Sequence, residues 1–216
     1  MRRVVFVNRY FHPDHSATSQ MVSDLAFHLA ARGWEVGAIT SRQRYDDASA
    51  RLASREVANA PHPASGHPLP AAQGEGLGVR GVEITRVWST SFGRSWLPGR
   101  ALDYLTFHLS AFRAMRRERE AVIIAMTDPP LLSLVATLAS NRVVNWVQDV
   151  FPEVATALGV RAPGVLRKLR DWSLRRARTN VVLSDGMAAR LGAPRTVVQH
   201  NWADAALRPH PRTDDA

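Results

Sequence analysis

The chain has 216 residues, 45% of them hydrophobic and 22% charged, which is length and apolar content enough for a real core and excludes general disorder. The absence of cysteine excludes a disulfide scaffold, a thiolate zinc site and a cysteine nucleophile together. The formal charge is +9, and all but Lys168 of the 28 basic residues are arginine, a bias that by itself does not announce nucleic acid.

Val4-Val5-Phe6-Val7 is a short β-branched run without alternation, the pattern of a strand buried on both faces. Met21, Val22, Leu25, Ala26, Leu29 and Ala30 then recur at spacings of three and four, which predicts an amphipathic helix with Ser16 or Thr18 at its cap and Gly33 at its stop. Residues 34–40 read as a second strand, completing a βαβ unit with parallel strands. Residues 41–81 carry Pro61, Pro63, Pro68 and Pro70 among several glycines and show no apolar period, so an irregular insertion is expected there, mobile around 59–79.

Alternation returns at residues 82–88. A helix is predicted over 101–120, with Leu102, Leu105, Leu109, Phe112 and Met115 as its apolar side. Residues 122–126 form the next strand, and Thr127-Asp128-Pro129-Pro130 is read as opening a helix to about Ser140, its prolines in the first turn. Strands at 143–147, 180–183 and 196–199, with helices at 163–176 and from Ser184 to Leu191, complete the alternation. The expected fold class is α/β: an open, doubly wound parallel sheet of about seven strands, Rossmann-like, over residues 1–200. Residues 201–216 read as an interdomain linker.

Val4 to Val7 is too short for a signal sequence, and the apolar stretch from Val122 to Val147 is broken twice by polar residues and proline, so neither a leader nor a membrane-spanning helix is expected. The chain is expected to be cytoplasmic or peripheral to a membrane. Between Arg161 and Arg178 seven cations face Asp171 alone. Two readings of that stretch stay open: a basic face for phosphate-bearing partners, or a solvated helix surface.

In doubly wound sheets the ligand crevice lies at the carboxyl ends of the strands, so the residues just after each strand are the candidates for chemistry. These are residues 8–18, Thr127 to Pro130, Gln148 and Asp149, Ser184 to Gly186, and His200 with Asn201. Neither a dinucleotide fingerprint nor a P-loop is present, nor a nucleophile elbow. His12 and His15 beside Asp14 read as surface or substrate contacts rather than metal ligands.

At these loops the sequence resembles the N-terminal half of a family 4 glycosyltransferase of the GT-B fold, nearest the branch that builds bacterial surface polysaccharides (colanic-acid and O-antigen type, including N-acetylfucosamine transferases). The resemblance is carried by residues 7–13 (Val-Asn-Arg-Tyr-Phe-His-Pro), by Ala17-Thr18-Ser19 entering a helix that ends at Gly33-Trp34-Glu35-Val36, and by Thr127-Asp128-Pro129-Pro130. It continues through residues 146–153 (Trp-Val-Gln-Asp-Val-Phe-Pro-Glu), then Ser184-Asp185-Gly186-Met187 and Asn201-Trp202-Ala203-Asp204.

The resemblance implies a retaining transferase that needs no metal and no cofactor, with a nucleotide-sugar as donor substrate and a lipid-linked or other saccharide as acceptor, in cell-surface polysaccharide biosynthesis. It places this chain as the acceptor-binding half, inactive without a donor-binding half, and so either a truncated product or half of a split enzyme that another polypeptide completes. It implies Asp149 as the catalytic residue beside the reacting sugar. It implies a donor and acceptor cleft formed by Tyr10, His12, His15, Ala17, Thr18, Ser19, Thr127, Pro129, Gln148, Glu153, Ser184 and Asn201. Ala17 and Thr18 stand where the family carries a glycine pair. It further implies a basic face of Arg167, Lys168, Arg170, Arg175 and Arg176 resting on the inner face of the cell membrane. The residues alone also read as a non-catalytic acceptor-binding or scaffold module. Nucleic acid is not expected as a partner, since no reader motif accompanies the charge.

Overall fold

The computed structural model describes residues 3–59, 81–93, 96–157, 159 and 163–202. All but residue 59 of the excursion expected at 59–79, and nearly all of the expected linker, lie outside these residues. Among the described residues one sheet has eight strands in the order β3-β4-β2-β1-β5-β6-β7-β8. Seven run parallel: β1 (Arg3–Val7), β2 (Glu35–Ser41), β4 (Val82–Val87), β5 (Val122–Ala125), β6 (Val143–Val147), β7 (Thr179–Val182) and β8 (Thr196–Val198). These are the seven strands read from the sequence. The eighth, β3 (Arg55–Ala58), lies within the stretch read as irregular and pairs antiparallel with the outer edge of β4.

The chain leaves β1 toward β2 and β4, then returns to place β5 on the other side of β1 and continues outward through β8. The strand order therefore reverses between β1 and β5, the switch point where such sheets bind ligands. Alternation along β1 sends Val4 and Phe6 to one face and Val5 and Val7 to the other. On the first face α1 (Ala17–Ala31) packs Val22, Ala26 and Phe27 against the sheet. On the second lie α2 (Leu97–Met115) and α3 (Leu132–Ala139), and α3 packs in turn on α5 (Gly164–Arg176). The short α4 (Glu153–Ala157) and α6 (Asp185–Leu191) complete the described helices. Ser184 caps α6, its hydroxyl accepting the Met187 N–H at 3.2 Å.

At the amino edge of the sheet the Arg3 guanidinium joins three carboxylates, Glu35 at 2.7 Å, Glu83 at 2.9 Å and Glu118 at 2.8 Å. This ties β1 to β2, to β4 and to the turn before β5. A fork with five donors meets three acceptors from separate elements, a geometry a lysine does not reproduce.

Two expectations are corrected here. The apolar side predicted for the second helix points mostly outward: Leu105 and Leu109 are 54% and 50% exposed, and Leu102 is also exposed. The face against the sheet is Asp103, Phe107, Ala111, Ala114 and Met115. The rotation is set by the Asp103 carboxylate, which is fully buried and accepts the N–H groups of Phe92 and Gly93 at 3.0 and 3.1 Å. Small Ala111 and Ala114 then let the helix approach the strands closely. The second correction concerns Thr127 to Pro130, which do not open a helix. α3 starts at Leu132 after Leu131 in the left-handed region at φ 66°, so both prolines lie in the preceding loop and Asp128 is not its cap.

The two faces of α2 make a direct test. Phe107→Ala should lower unfolding free energy by about 3–5 kcal/mol in urea titrations, whereas Leu105→Ala should cost no more than about 0.5 kcal/mol. A large loss at Leu105 would contradict this helix rotation.

Candidate active site

Three loops meet at the carboxyl side of the switch point: 8–16 after β1, 126–131 after β5 and 148–152 after β6. Backbone bonds join the first two, from Arg9 N–H to the Asp128 carbonyl at 2.8 Å and from Met126 N–H to the Val7 carbonyl at 3.0 Å. Within the first loop the Asn8 amide donates to the Tyr10 carbonyl at 2.7 Å. The buried Asp14 carboxylate accepts the N–H groups of Ser16 and Tyr45, pinning the start of α1 to the segment after β2. The peptide bonds His12–Pro13, Asp128–Pro129 and Phe151–Pro152, one in each loop, are cis.

The loops border an open cleft of about 720 Å³. Of the residues expected there, Tyr10, Ala17, Thr18, Thr127 and Asp149 line it. A narrower crevice of about 40 Å³ shares Thr127, Pro130, Asp149 and Phe151 with it and reaches Trp146 below. Asp149 is exposed and lines both spaces. The Thr127 hydroxyl and Trp146 indole nitrogen are buried without partners. Ser16 is the N-cap of α1, yet its hydroxyl makes no capping bond, leaving the first-turn amides beside the cleft uncapped by a side chain. Among the described residues no three His, Asp or Glu side chains gather as metal ligands.

Other expected site residues have structural partners. Ser19 is fully buried and its hydroxyl donates to the Asp14 carbonyl at 3.1 Å. The His12 ring sits edge-on to Phe27 at 5.4 Å, and burial holds its imidazole below the usual value. The exposed His15 contributes its carbonyl to Gln20. Pro129 is buried in its loop, and Pro130 lines the cleft. Gln148 and Asn201 exchange amide hydrogen bonds at 3.3 and 2.9 Å, and Trp202 packs on Trp146 at 5.7 Å, which seats the end of the described chain on β6. Glu153 is held by Arg170, at 2.7 and 3.2 Å, and by Arg167 at 3.5 Å. Arg170, expected on the basic outer face, turns inward instead. It is buried and bonds Glu153, Asp171 and the Phe151 carbonyl, because a cation enclosed at that depth needs every donor answered.

The cleft also contains residues that sequence reasoning did not single out: Arg44, Tyr45, Arg100 and Tyr104. Arg9, which lies within the candidate loop 8–18 but was given no role of its own, lines it as well. Arg100 and Tyr104 reach the cleft because of the rotation of α2, which leucine spacing misrepresents.

Next to Arg9, burial and the guanidinium charge push the His108 imidazole down to about 4, against a hydrogen bond with the Pro130 carbonyl. The unfolded chain takes up this proton near pH 6.5 and the folded one only near 4. Stability should therefore fall as pH drops through that window and level off below it, by roughly 3 kcal/mol in all. Thermal melts of wild type and His108→Gln across pH 7 to 4 check this. The variant should lose that part of the pH slope, and an unchanged slope would place the titration elsewhere.

An open, mostly parallel sheet with a cleft at its switch point defines a Rossmann-like ligand-binding domain. This chain belongs to the glycosyl transferase 4-like domain family, which it matches over residues 16–202. No curated protein matches it in sequence. Among solved structures it is similar to sucrose-phosphate synthase from Thermosynechococcus elongatus, with a TM-score of 0.54 and 12% identity, over 92% of this chain and 47% of that one. At that identity the likeness is one of fold, and the chain spans about half the length of that structure.

Proposed function

We propose that this domain is the acceptor-binding half of a retaining glycosyltransferase, acting with a donor-binding half on the same or another polypeptide. It moves a sugar from a nucleotide-sugar to a lipid-linked or other saccharide acceptor in cell-surface polysaccharide assembly, without a required metal. The family match across residues 16–202, with Asp149 and Thr127 at the switch-point cleft, carries this reading. The length of the matched structure supports the need for a second half.

In this reading Asp149 accepts a hydrogen bond from a hydroxyl of the reacting sugar or of the acceptor, favouring the positive charge that develops as the glycosidic bond loosens. The first-turn amides of α1 at Ala17 and Thr18 face the donor diphosphate across the closed cleft. Isothermal titration of this chain with nucleotide-sugars should show no micromolar binding, and micromolar affinity would refute the division into halves. In the two-domain enzyme Asp149→Asn should cut turnover at least about 100-fold, and near-normal turnover would leave Asp149 a structural residue.

The same reading includes docking at the inner face of the cell membrane. Among the described residues no helix is long and apolar enough to cross a membrane. α2, α3 and α5 form one layer whose outer surface exposes Leu105 and Leu109 on α2, Leu138 on α3, and Leu169 and Trp172 on α5. Lys168 and Arg175 border the apolar groove between α3 and α5, and Arg167 and Arg176 are also exposed on α5. Apolar anchors with cationic flanks suit an anionic bilayer surface. Vesicles containing phosphatidylglycerol should sediment the chain and neutral phosphatidylcholine vesicles should not. Leu105→Ser with Trp172→Ser, or salt above physiological strength, should weaken the association several-fold, and equal binding to both vesicle types would defeat the assignment.

A further inference from the structure

An exposed pair of aromatic rings stands at the outer rim of the cleft, next to the cleft-lining Gly93. Phe92 and Trp96 meet edge to face at 5.7 Å and are 50% and 55% exposed. Rings so exposed add little to folding stability, yet their backbone is pinned from two elements. The buried Asp103 carboxylate of α2 accepts the N–H groups of Phe92 and Gly93. Two residues earlier, the Thr90 N–H donates to the Thr106 hydroxyl at 3.0 Å, and the Thr90 carbonyl accepts from the Gln43 amide at 2.7 Å. Beneath the rings lies the buried Gly99, where a Cβ would overlap both the Trp96 ring and the Phe92 Cβ. Glycine is the poorest helix former after proline, and this close approach explains its place in the first turn of α2.

Size and position decide what such a surface takes. Two half-exposed rings offer on the order of 200 Å², far below the roughly 800 Å² per partner of a stable protein interface. A flat apolar face of that size suits a sugar ring, whose slightly positive C–H groups meet the negative faces of aromatic rings. Phe92 and Trp96 lie in the segment after β4, and Asp149 in the loop after β6. Four strand spacings of about 4.8 Å separate those strands in the sheet, roughly 19 Å in all. One sugar does not span that distance, and a short oligosaccharide does. The cleft is continuous between the two ends, with Gly93 and Arg100 at one and Asp149 and Phe151 at the other.

The geometry points to a glycan-stacking platform: the acceptor is an oligosaccharide, and its outlying sugars rest on Phe92 and Trp96 while its reacting end lies near Asp149. The inference rests on reading this domain as an acceptor-binding half. It adds a minimum length to the acceptor, and a subsite outside the loops after β1, β5 and β6 that selects for that length. Rings already fixed by their seat lose little freedom on binding, so the contact is retained in affinity.

The test applies the labelled chain to an immobilised array of bacterial surface oligosaccharides and the monosaccharides that compose them, and then measures the strongest ligand by isothermal titration. Oligosaccharides should be retained and monosaccharides should not. Trp96→Ala and Phe92→Ala should each lower affinity at least about tenfold with unchanged far-ultraviolet circular dichroism, and Trp96→Phe should recover part of the loss. Gly99→Ala, which keeps both rings but displaces them from their seat, should weaken binding several-fold. Monosaccharides retained as strongly as oligosaccharides, or affinity within twofold of wild type in both alanine variants, overturns the inference and leaves the acceptor-binding reading standing. Absence of any retained glycan overturns it as well. Weakened sedimentation of Trp96→Ala with phosphatidylglycerol vesicles, without loss of glycan affinity, would assign the rings to the bilayer instead. Micromolar affinity for a nucleotide-sugar counts against the division into halves alone and leaves ring-dependent glycan binding untouched.

Discussion

The carboxylate of Asp103 sets the geometry on which the candidate site depends. It is fully buried, where an unpaired charge is costly, and it is answered by the N–H groups of Phe92 and Gly93 and by Arg9. Those three partners belong to the segment before α2 and to the loop after β1. One side chain thus fixes the rotation of α2 and the position of the residue that follows the central strand. The rotation places Phe107, Ala111 and Ala114 on the sheet, brings Arg100 and Tyr104 to the cleft, and exposes Leu105 and Leu109. Removing that carboxylate would strand Arg9 and two amides in a dry environment, so fold and site share this constraint.

The parallel strands were legible because strands buried on both faces must be apolar without interruption, and Val4 to Val7 or Val143 to Val147 leave few alternatives. The glycine stop of α1 and the serine cap of α6 were legible because each solves a backbone problem that few residues solve. α2 was not legible in the same way. Periodicity assigns leucines to the core and aspartate to solvent, and here the buried face carries Asp103 while two leucines lie outside. Only the tertiary partners of Asp103 reverse that assignment, and they are not local in sequence. β3 escaped notice because Arg-Glu-Val-Ala is short, half exposed and paired on one side only, so it needs no apolar run.

The site shows the same division. Loops at strand ends were predictable from topology alone, and Tyr10, Thr18, Thr127 and Asp149 do converge on one cleft. Residues that reach that cleft from a helix side, or from the segment after β2, carried no such positional mark. The surplus charge of α5 likewise looked uniform in sequence, yet Arg170 serves the interior while Arg167, Lys168, Arg175 and Arg176 face outward. A run of like charges on a helix samples every direction, and the acidic side chain it meets, here Glu153, decides which one turns in.

The two ends of β1 differ in how completely they satisfy their polar atoms. At the amino end Arg3 finds three carboxylates, and burial there is answered bond for bond. At the carboxyl end the Arg9 Nε, the Ser16 and Thr127 hydroxyls and the Trp146 indole nitrogen are enclosed without partners. Such atoms cost about 1–3 kcal/mol each, and the core beneath could have been packed without them. Their grouping around one cleft is what a binding site produces when its polar groups are arranged for a ligand rather than for each other. The amino edge, with the same strand and the same neighbours, shows that nothing in the sheet itself demands the shortfall. The partnerless atoms at the carboxyl edge of β1 thus support the proposal that this edge is the working side of the domain, on grounds separate from any likeness to other proteins.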